Sequence, residues 1–196
     1  LNIDQFYERI INIKKIASVK ESKYIEKALQ AELSAVVLSI GNIAVIKRYV
    51  DLFKSNNLPV FLHIERLGGI SHDREGIDFL AHYVKPTGIV STRNSLIKQA
   101  KNQGLLTIQR VFLVDSDALK TGLQSVQETQ PDAVELMPGL LTDILEEFKS
   151  EVDLPIIAGG LIRNKHQMIQ ALRYGAVAVS VGNYRLWKET LAGETN

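Results

Sequence analysis

Short runs of apolar, largely β-branched residues recur along the chain, and each is followed by a longer stretch in which apolar residues return every three or four positions. The first pattern reads as a strand buried on both faces and the second as an amphipathic helix. Followed from end to end, the alternation predicts strands over 16–19, 35–39, 59–65, 88–92, 106–112, 133–137, 155–158 and 176–181. Between and after them it predicts helices over 22–31, 43–55, 74–84, 95–103, 117–129, 142–149, 165–174 and 184–191. Ile144, Leu145 and Phe148 illustrate the helical spacing, Gly104 and Gly175 fall where a helix should stop, and Pro59 and Pro155 introduce strands.

Strands alternating with helices imply a parallel sheet covered by helices, and eight such units close into an α/β fold, the (β/α)8 TIM barrel. At 196 residues the chain is compact against a usual length of about 250, so helices or loops must be trimmed. An open doubly wound sheet is the other solution, but it normally has fewer strands, and no GxGxxG follows the first strand here. Residues 1–14, with Phe6, Tyr7, Ile10 and Ile11, read as an N-terminal amphipathic helix lying against one end of the barrel. No linker or low-complexity stretch interrupts the repeat, so 1–196 is expected to be one domain.

Composition adds a few limits. With 45% apolar and 23% charged residues the chain can bury one core. It has no cysteine, hence neither a disulfide framework nor a thiolate metal site, which suits an intracellular setting. No apolar run approaches the roughly 20 residues of a membrane span, and the opening Leu1-Asn2-Ile3-Asp4 lacks a signal-peptide layout. A cytoplasmic protein without a membrane partner is expected.

A formal net charge of +1 gives no global attraction to nucleic acid, so RNA binding would need a local basic patch. The charges are unevenly spread. Glu128, Asp132, Glu135, Asp143, Glu146, Glu147, Glu151 and Asp153 make one stretch acidic, whereas Arg163, Lys165, Arg173, Arg185 and Lys188 follow with no acid between them. Charge runs are commonly solvated helix faces, and that is the plain alternative here.

Two glycine-containing strings carry the most specific chemistry. Ile156-Ile157-Ala158-Gly159-Gly160 ends the seventh predicted strand and Ser180-Val181-Gly182-Asn183 the eighth. Small residues let the backbone approach a ligand, and their N–H groups, with the start of a following helix, can hold a phosphate dianion at the position common in phosphosugar barrels. Tight turns alone would also explain these glycines. His63 and Glu65, two apart on a predicted strand, should project to the same face, and Arg110, Asp115 and Glu135 close other strands, with His72 and Asp73 further along. Such groups could supply a base (Glu65 or Glu135) and an electrophile (His63 or Arg110) for an isomerase or epimerase, hydrogen-bond the hydroxyls of a polyol phosphate, or pair as Arg110 with Glu135. A metal set of His63, Glu65, His72 and Asp73 is conceivable but lacks tight ligand spacing.

Several strings go beyond general barrel features: His63-Ile64-Glu65 with Gly69-Ile70-Ser71-His72-Asp73 and Gly76; Lys85-Pro86-Thr87-Gly88 leading to Ser91-Thr92-Arg93; Gln109-Arg110-Val111-Phe112; Glu135-Leu136-Met137-Pro138-Gly139; Ala158-Gly159-Gly160-Leu161-Ile162-Arg163; and Asn183 with Leu186-Trp187-Lys188. Through most of its length the chain resembles the glycerol-3-phosphate-responsive antiterminators of Gram-positive bacteria. The resemblance implies a barrel that senses glycerol-3-phosphate and acts on leader mRNA of glycerol-use genes, with no cofactor, no metal and no catalytic residue. It implies phosphate contacts from Gly159, Gly160, Gly182 and Asn183, and polyol contacts near His63, Glu65 and Glu135. Ser180, in the second glycine-containing string, and Arg110 complete the candidate ligand-binding set. Two positions depart from the expected pattern: Glu65 stands where an Asp is expected, and Gly182 where a Thr or Ser would precede Asn183.

For RNA the candidates are Arg93, Arg163, Lys165, Arg173, Arg185 and Lys188, which could line one edge beside the ligand; no RNP, KH or zinc-knuckle signature is present. Trp187, between Leu186 and Leu191, reads as packed against the barrel rather than as a base platform. Homo-oligomerisation stays open. The competing function is a phosphosugar isomerase, epimerase or aldolase on the same fold, although no strand-end lysine placed for a Schiff base and no clear metal triad is evident.

Overall fold

The computed structural model describes residues 2–191; Leu1 and residues 192–196 of the expected domain lie outside the described residues. Eight strands, β1 (Lys15–Val19), β2 (Ala35–Leu38), β3 (Val60–His63), β4 (Gly88–Ser91), β5 (Leu106–Phe112), β6 (Ala133–Met137), β7 (Ile156–Gly159) and β8 (Ala178–Val181), pair in parallel in that order. β8 pairs with β1, with Ile16 opposite Ser180, and closes the barrel. The described residues thus form one (β/α)8 barrel.

The first helix, α1 (Ile3–Ile13), precedes the barrel. Asn2 and Gln5 cap it reciprocally: the Asn2 side chain accepts from the Gln5 N–H at 2.9 Å, and the Gln5 side chain accepts from the Asn2 N–H at 3.0 Å. Its Phe6 and Ile10 are wholly buried against the lower barrel interior, each worth about 1.5–3 kcal/mol of apolar burial. Phe6 lies 5.0 Å, centroid to centroid, from Phe61 of β3. One end of the barrel is therefore plugged, and a ligand can enter only from the other.

Strand alternation creates a sharp change of chemistry inside the barrel. Ile16, Val37, Phe61, Ile108, Ala133, Ile157 and Ala178 form the apolar lower layer under α1. Two residues further along, on the same face of each strand or just past its end, stand Ser18, Ser39, His63, Arg110, Glu135, Gly159 and Ser180. One pleat converts a dry core into a polar mouth. The outward faces pack against the surrounding helices through Val36, Leu62, Ile89, Val134 and Val179.

The helices after β1 to β7 are α2 (Ile25–Leu29), α3 (Ile46–Ser55), α4 (Arg74–Phe79), α5 (Asn94–Asn102), α6 (Ser116–Thr129), α7 (Thr142–Glu151) and α8 (Lys165–Arg173). Three differ from the periodicity reading. A 3-10 turn, Ser22–Tyr24, leads into a one-turn α2 instead of a continuous helix, and α4 passes into a π-helical turn, Leu80–Val84. The helix expected over 184–191 is a single 3-10 turn, Leu186–Lys188.

That turn is tied down rather than extended. The buried Trp187 donates its indole N–H to the Val181 carbonyl at 2.8 Å, and Lys15, at the start of β1, donates Nζ to the carbonyls of Trp187 and Glu189 at 3.0 and 2.7 Å. Burial pushes the Lys15 ammonium below its ordinary value, against the opposing charges of Glu32 and Glu189. Here, and in α2, the chain makes part of its saving in length. Among the described residues no helix is long and apolar enough to cross a membrane.

Candidate functional site

The polar mouth opens into a cavity of about 700 Å³ bordered by loops after several strands. Its floor is the polar layer: Ser18, Ser39, His63, Arg110 and Ser180. Around the rim stand Lys20, Glu65, Arg66, Thr92, Leu161 and Gly182.

Arg110 is the hub. Its Nε and Nη2 both donate to Glu135 Oε2 at 2.8 Å, in a pair that is almost fully buried. Its Nη1 lies 3.1 and 3.2 Å from the two ring nitrogens of His63, whose Nδ1 is also 3.2 Å from Ser39 Oγ. A guanidinium can only donate, so the nitrogen it meets must be an unprotonated acceptor. Burial, then the Arg110 charge, lowers the His63 pKa to about 4, with Glu65 opposing, so the ring is neutral at neutral pH.

Glu65 is held from the next strand: Ser91 Oγ and the Thr92 N–H donate to its Oε1 at 2.5 and 3.0 Å. Burial pushes this carboxyl up, but those hydrogen bonds and the neighbouring His63 outweigh it and leave it below the usual value. Glu65 does not share the β3 pleat with His63, contrary to the two-residue spacing. β3 ends at His63, and Glu65 reaches the mouth from a 3-10 turn, Ile64–Arg66.

Three buried polar atoms in this region, Glu65 Oε2, Glu135 Oε1 and Ser180 Oγ, have no hydrogen-bond partner among the described residues. Leaving such atoms unsatisfied costs about 1–3 kcal/mol each, the signature of a surface built to meet hydroxyls or water. Glu65 Oε2 stands 3.5 Å from His63 Nε2. Among the described residues that line the cavity, Glu65 is the one acid beside Lys20 and Arg66, and Arg110 is paired to Glu135, so these side chains leave the mouth net positive.

The glycine strings occupy adjacent strand ends. Gly159 ends β7, and a Cβ there would lie 2.6 Å from Glu135 Oε1. Gly160 has φ +75°, a left-handed conformation that disfavours other residues. Gly182 differs: its φ is not left-handed and the nearest neighbour of an added Cβ would be Ser18 O at 3.8 Å, so no contact among the described residues requires glycine. Among the described residues the N–H groups of Gly160, Leu161, Gly182 and Asn183 have no backbone or side-chain acceptor. The expected help from a following helix is limited to α8, because β8 leads only into the 3-10 turn.

Other candidates go elsewhere. Asp73 and Asp115 cap α4 and α6, accepting from the N–H groups of Gly76 and Ala118 at 3.0 and 2.8 Å. His72 Nε2 meets the Ile64 carbonyl at 3.1 Å. Among the described residues no group of three or more potential metal ligands converges, and the conceivable set of His63, Glu65, His72 and Asp73 does not form. Arg93, Arg163 and Arg185 are exposed in loops at the mouth end, and Lys165 begins α8 there. Lys188 lies on the outer wall, in the turn held by Lys15. Arg173 ends α8, which runs back from the mouth to the plugged end; it does not share an edge with the others. Ser18, Lys20, Ser39, Arg66 and Thr92 line the cavity without having been singled out in the sequence, although counting by twos from Ile16 reaches Ser18 and Lys20.

Known proteins share this architecture and more. The family model described as "Glycerol-3-phosphate responsive antiterminator" matches residues 15–187. The chain is 31% identical to the uncharacterized protein YgcP of Escherichia coli K12 over 172 residues, 88% of this chain and 90% of that protein. The crystal structure of the glycerol uptake operon antiterminator regulatory protein from Listeria monocytogenes superimposes with a TM-score of 0.86 at 35% identity, covering 90% of this chain and 95% of that one. An antiterminator-related protein from Thermotoga maritima gives 0.79 at 23% identity, covering 89% and 98%, and shares the fold. By the extent of the family match, which takes in all eight strands and the mouth residues they carry, the chain belongs to the glycerol-3-phosphate responsive antiterminator family.

Proposed function

We propose that this chain is a cytoplasmic, non-catalytic sensor that binds glycerol-3-phosphate in the barrel mouth and, in that state, acts on leader mRNA of glycerol-utilisation genes to prevent premature termination. The observation that carries the reading is the juxtaposition, in one cavity, of the free backbone N–H groups of Gly160, Leu161 and Gly182, after β7 and β8, with the unpartnered atoms of Glu65 and Ser180; Glu135 Oε1, also unpartnered, stands beside Gly159 at the end of β7. The phosphate is assigned to Gly159, Gly160, Gly182 and Asn183, with Lys20 adding charge, and the hydroxyls to Glu65 and Glu135, with His63 and Arg110 holding those carboxylates in place. The ligand and RNA prefer the same state of the mouth loops, so each raises affinity for the other by the same factor.

Single-round transcription through a glycerol-operon leader and its terminator tests this. Readthrough should rise when protein and glycerol-3-phosphate are both present and stay at the basal level with either alone. Readthrough indifferent to glycerol-3-phosphate would reject the sensor.

A further inference from the structure

Barrel closure brings together two tyrosines that lie 160 positions apart in the chain. Tyr24, in the turn after β1, stacks on Tyr184, in the loop after β8, with centroids 5.0 Å apart and ring planes 23° from parallel. Lys27 Nζ stands 3.7 Å from the Tyr184 centroid, Lys23 Nζ 5.0 Å from that of Tyr24, and Arg185 Cζ 6.0 Å from that of Tyr184. The rings are half-buried, so they are rigidly based, while the three cations are exposed. Nearby acids leave the seam basic: Glu21 is engaged by Lys23 at 2.6 Å, and Glu26 lies on α2. The hydroxyl of Tyr184 is held below its ordinary value, first by Arg185 and then by the Lys27 charge.

Aromatic rings ringed by exposed cations match the chemistry of unpaired nucleotides: bases stack on the rings, and the lysine and arginine side chains turn to the phosphates. The seam also adjoins the mouth. Lys20 and Gly182, which border the cavity, lie four and two residues before Tyr24 and Tyr184. Asn183 Oδ1 accepts from the Arg185 N–H at 3.1 Å, and the Asn183 carbonyl accepts from Leu186 N–H at 3.0 Å, so one asparagine holds the turn that carries Tyr184 and Arg185.

We propose that the Tyr24–Tyr184 pair, with Lys27 and Arg185, is a stacking platform for an unpaired base of single-stranded RNA, coupled to the mouth through Asn183. The proposal rests on the reading of the chain as an RNA-acting regulator. It adds a place for the RNA and a path for the coupling: a phosphate that engages Asn183 bears on the turn that presents Tyr184.

The test uses the full chain and a randomised single-stranded RNA pool containing 4-thiouridine, with and without glycerol-3-phosphate. Photo-crosslinks should map to 20–27 and 182–188. Tyr24→Ala and Tyr184→Ala should each lower RNA affinity about ten-fold, while Tyr184→Phe, which keeps the ring, binds as the parent does. Lys27→Gln and Arg185→Gln should flatten the salt dependence, and the Tyr24→Ala variant should titrate glycerol-3-phosphate unchanged. Crosslinks confined to another face, tyrosine variants that bind RNA normally, or equal losses in Tyr184→Phe and Tyr184→Ala would overturn the platform and leave RNA action standing. If the unaltered chain retains no RNA in either condition, the RNA reading itself falls, and the platform with it.

Discussion

Gly159 and Glu135 contend for the same space: a Cβ on residue 159 would stand 2.6 Å from Glu135 Oε1, with Met137 Cε only 3.0 Å away. The missing side chain is what lets the Glu135 carboxylate lie against the end of β7 while its other oxygen holds Arg110 at 2.8 Å. Burial, and after it the Arg110 charge, keeps the His63 ring neutral. A glycine that the sequence offers as a phosphate loop thus also fixes a carboxylate one strand away.

Gly159→Ala should therefore damage both stability and binding. Overpacking of this kind costs about 1–3 kcal/mol, and a chain of this size loses about 2–4 °C in melting temperature per kcal/mol. Thermal melting and a glycerol-3-phosphate titration of the variant check this; a parental melting temperature would show that Glu135 can step aside freely.

Gly182→Ser should behave in the opposite way. The site has room for a Cβ and no left-handed φ. The added hydroxyl can donate to a phosphate held by the same loop, so the variant should melt with the parent and bind glycerol-3-phosphate about ten-fold more tightly, as expected for a hydrogen bond to a charged group. Weaker binding would place the phosphate elsewhere.

The Arg110–Glu135 pair is buried, so removing one partner strands a charge. Glu135→Leu should cost about 3–5 kcal/mol in chemical denaturation, and the double variant Arg110→Met/Glu135→Leu should recover part of that loss. Additive losses would mean that the two residues are not energetically coupled.

His63 makes stability depend on pH. Its folded pKa of about 4 lies below the ordinary histidine value of 6.5, so between the two the unfolded chain binds a proton that the folded chain does not. The stability that comes from a neutral ring is fully present above pH 6.5 and is lost as pH falls through 4. NMR titration should find the His63 ring neutral down to about pH 4, and the denaturation midpoint of the parent should fall more steeply across this window than that of His63→Gln. A ring titrating at or above 6.5 would contradict the Arg110 contact.

The barrel was legible because its period-two and period-3.6 patterns are long and regular, and the glycine strings because small residues cluster at two successive strand ends. Boundaries were less so. Period-two counting carries Glu65 into the mouth on a pleat that stops at His63, and the helical spacing of Leu186, Trp187 and Leu191 suggests a longer last helix than the single turn that Trp187 and Lys15 hold. Arg173 is near the mouth residues in sequence, yet a helix rising about 1.5 Å per residue carries it some 12 Å from Lys165 toward the plugged end. The Tyr24–Tyr184 contact has no local signal, since only closure of β8 onto β1 creates it.

Sensing of glycerol-3-phosphate in the barrel mouth stands or falls on calorimetric titration with that ligand, with glycerol and inorganic phosphate as controls and NMR of the recovered ligand. Saturable one-site binding of glycerol-3-phosphate, tighter than either control, and a ligand recovered unaltered are expected. Absence of binding, or recovery of a converted ligand, would contradict the sensing role, the first by emptying the mouth of its assigned effector and the second by making the chain an enzyme.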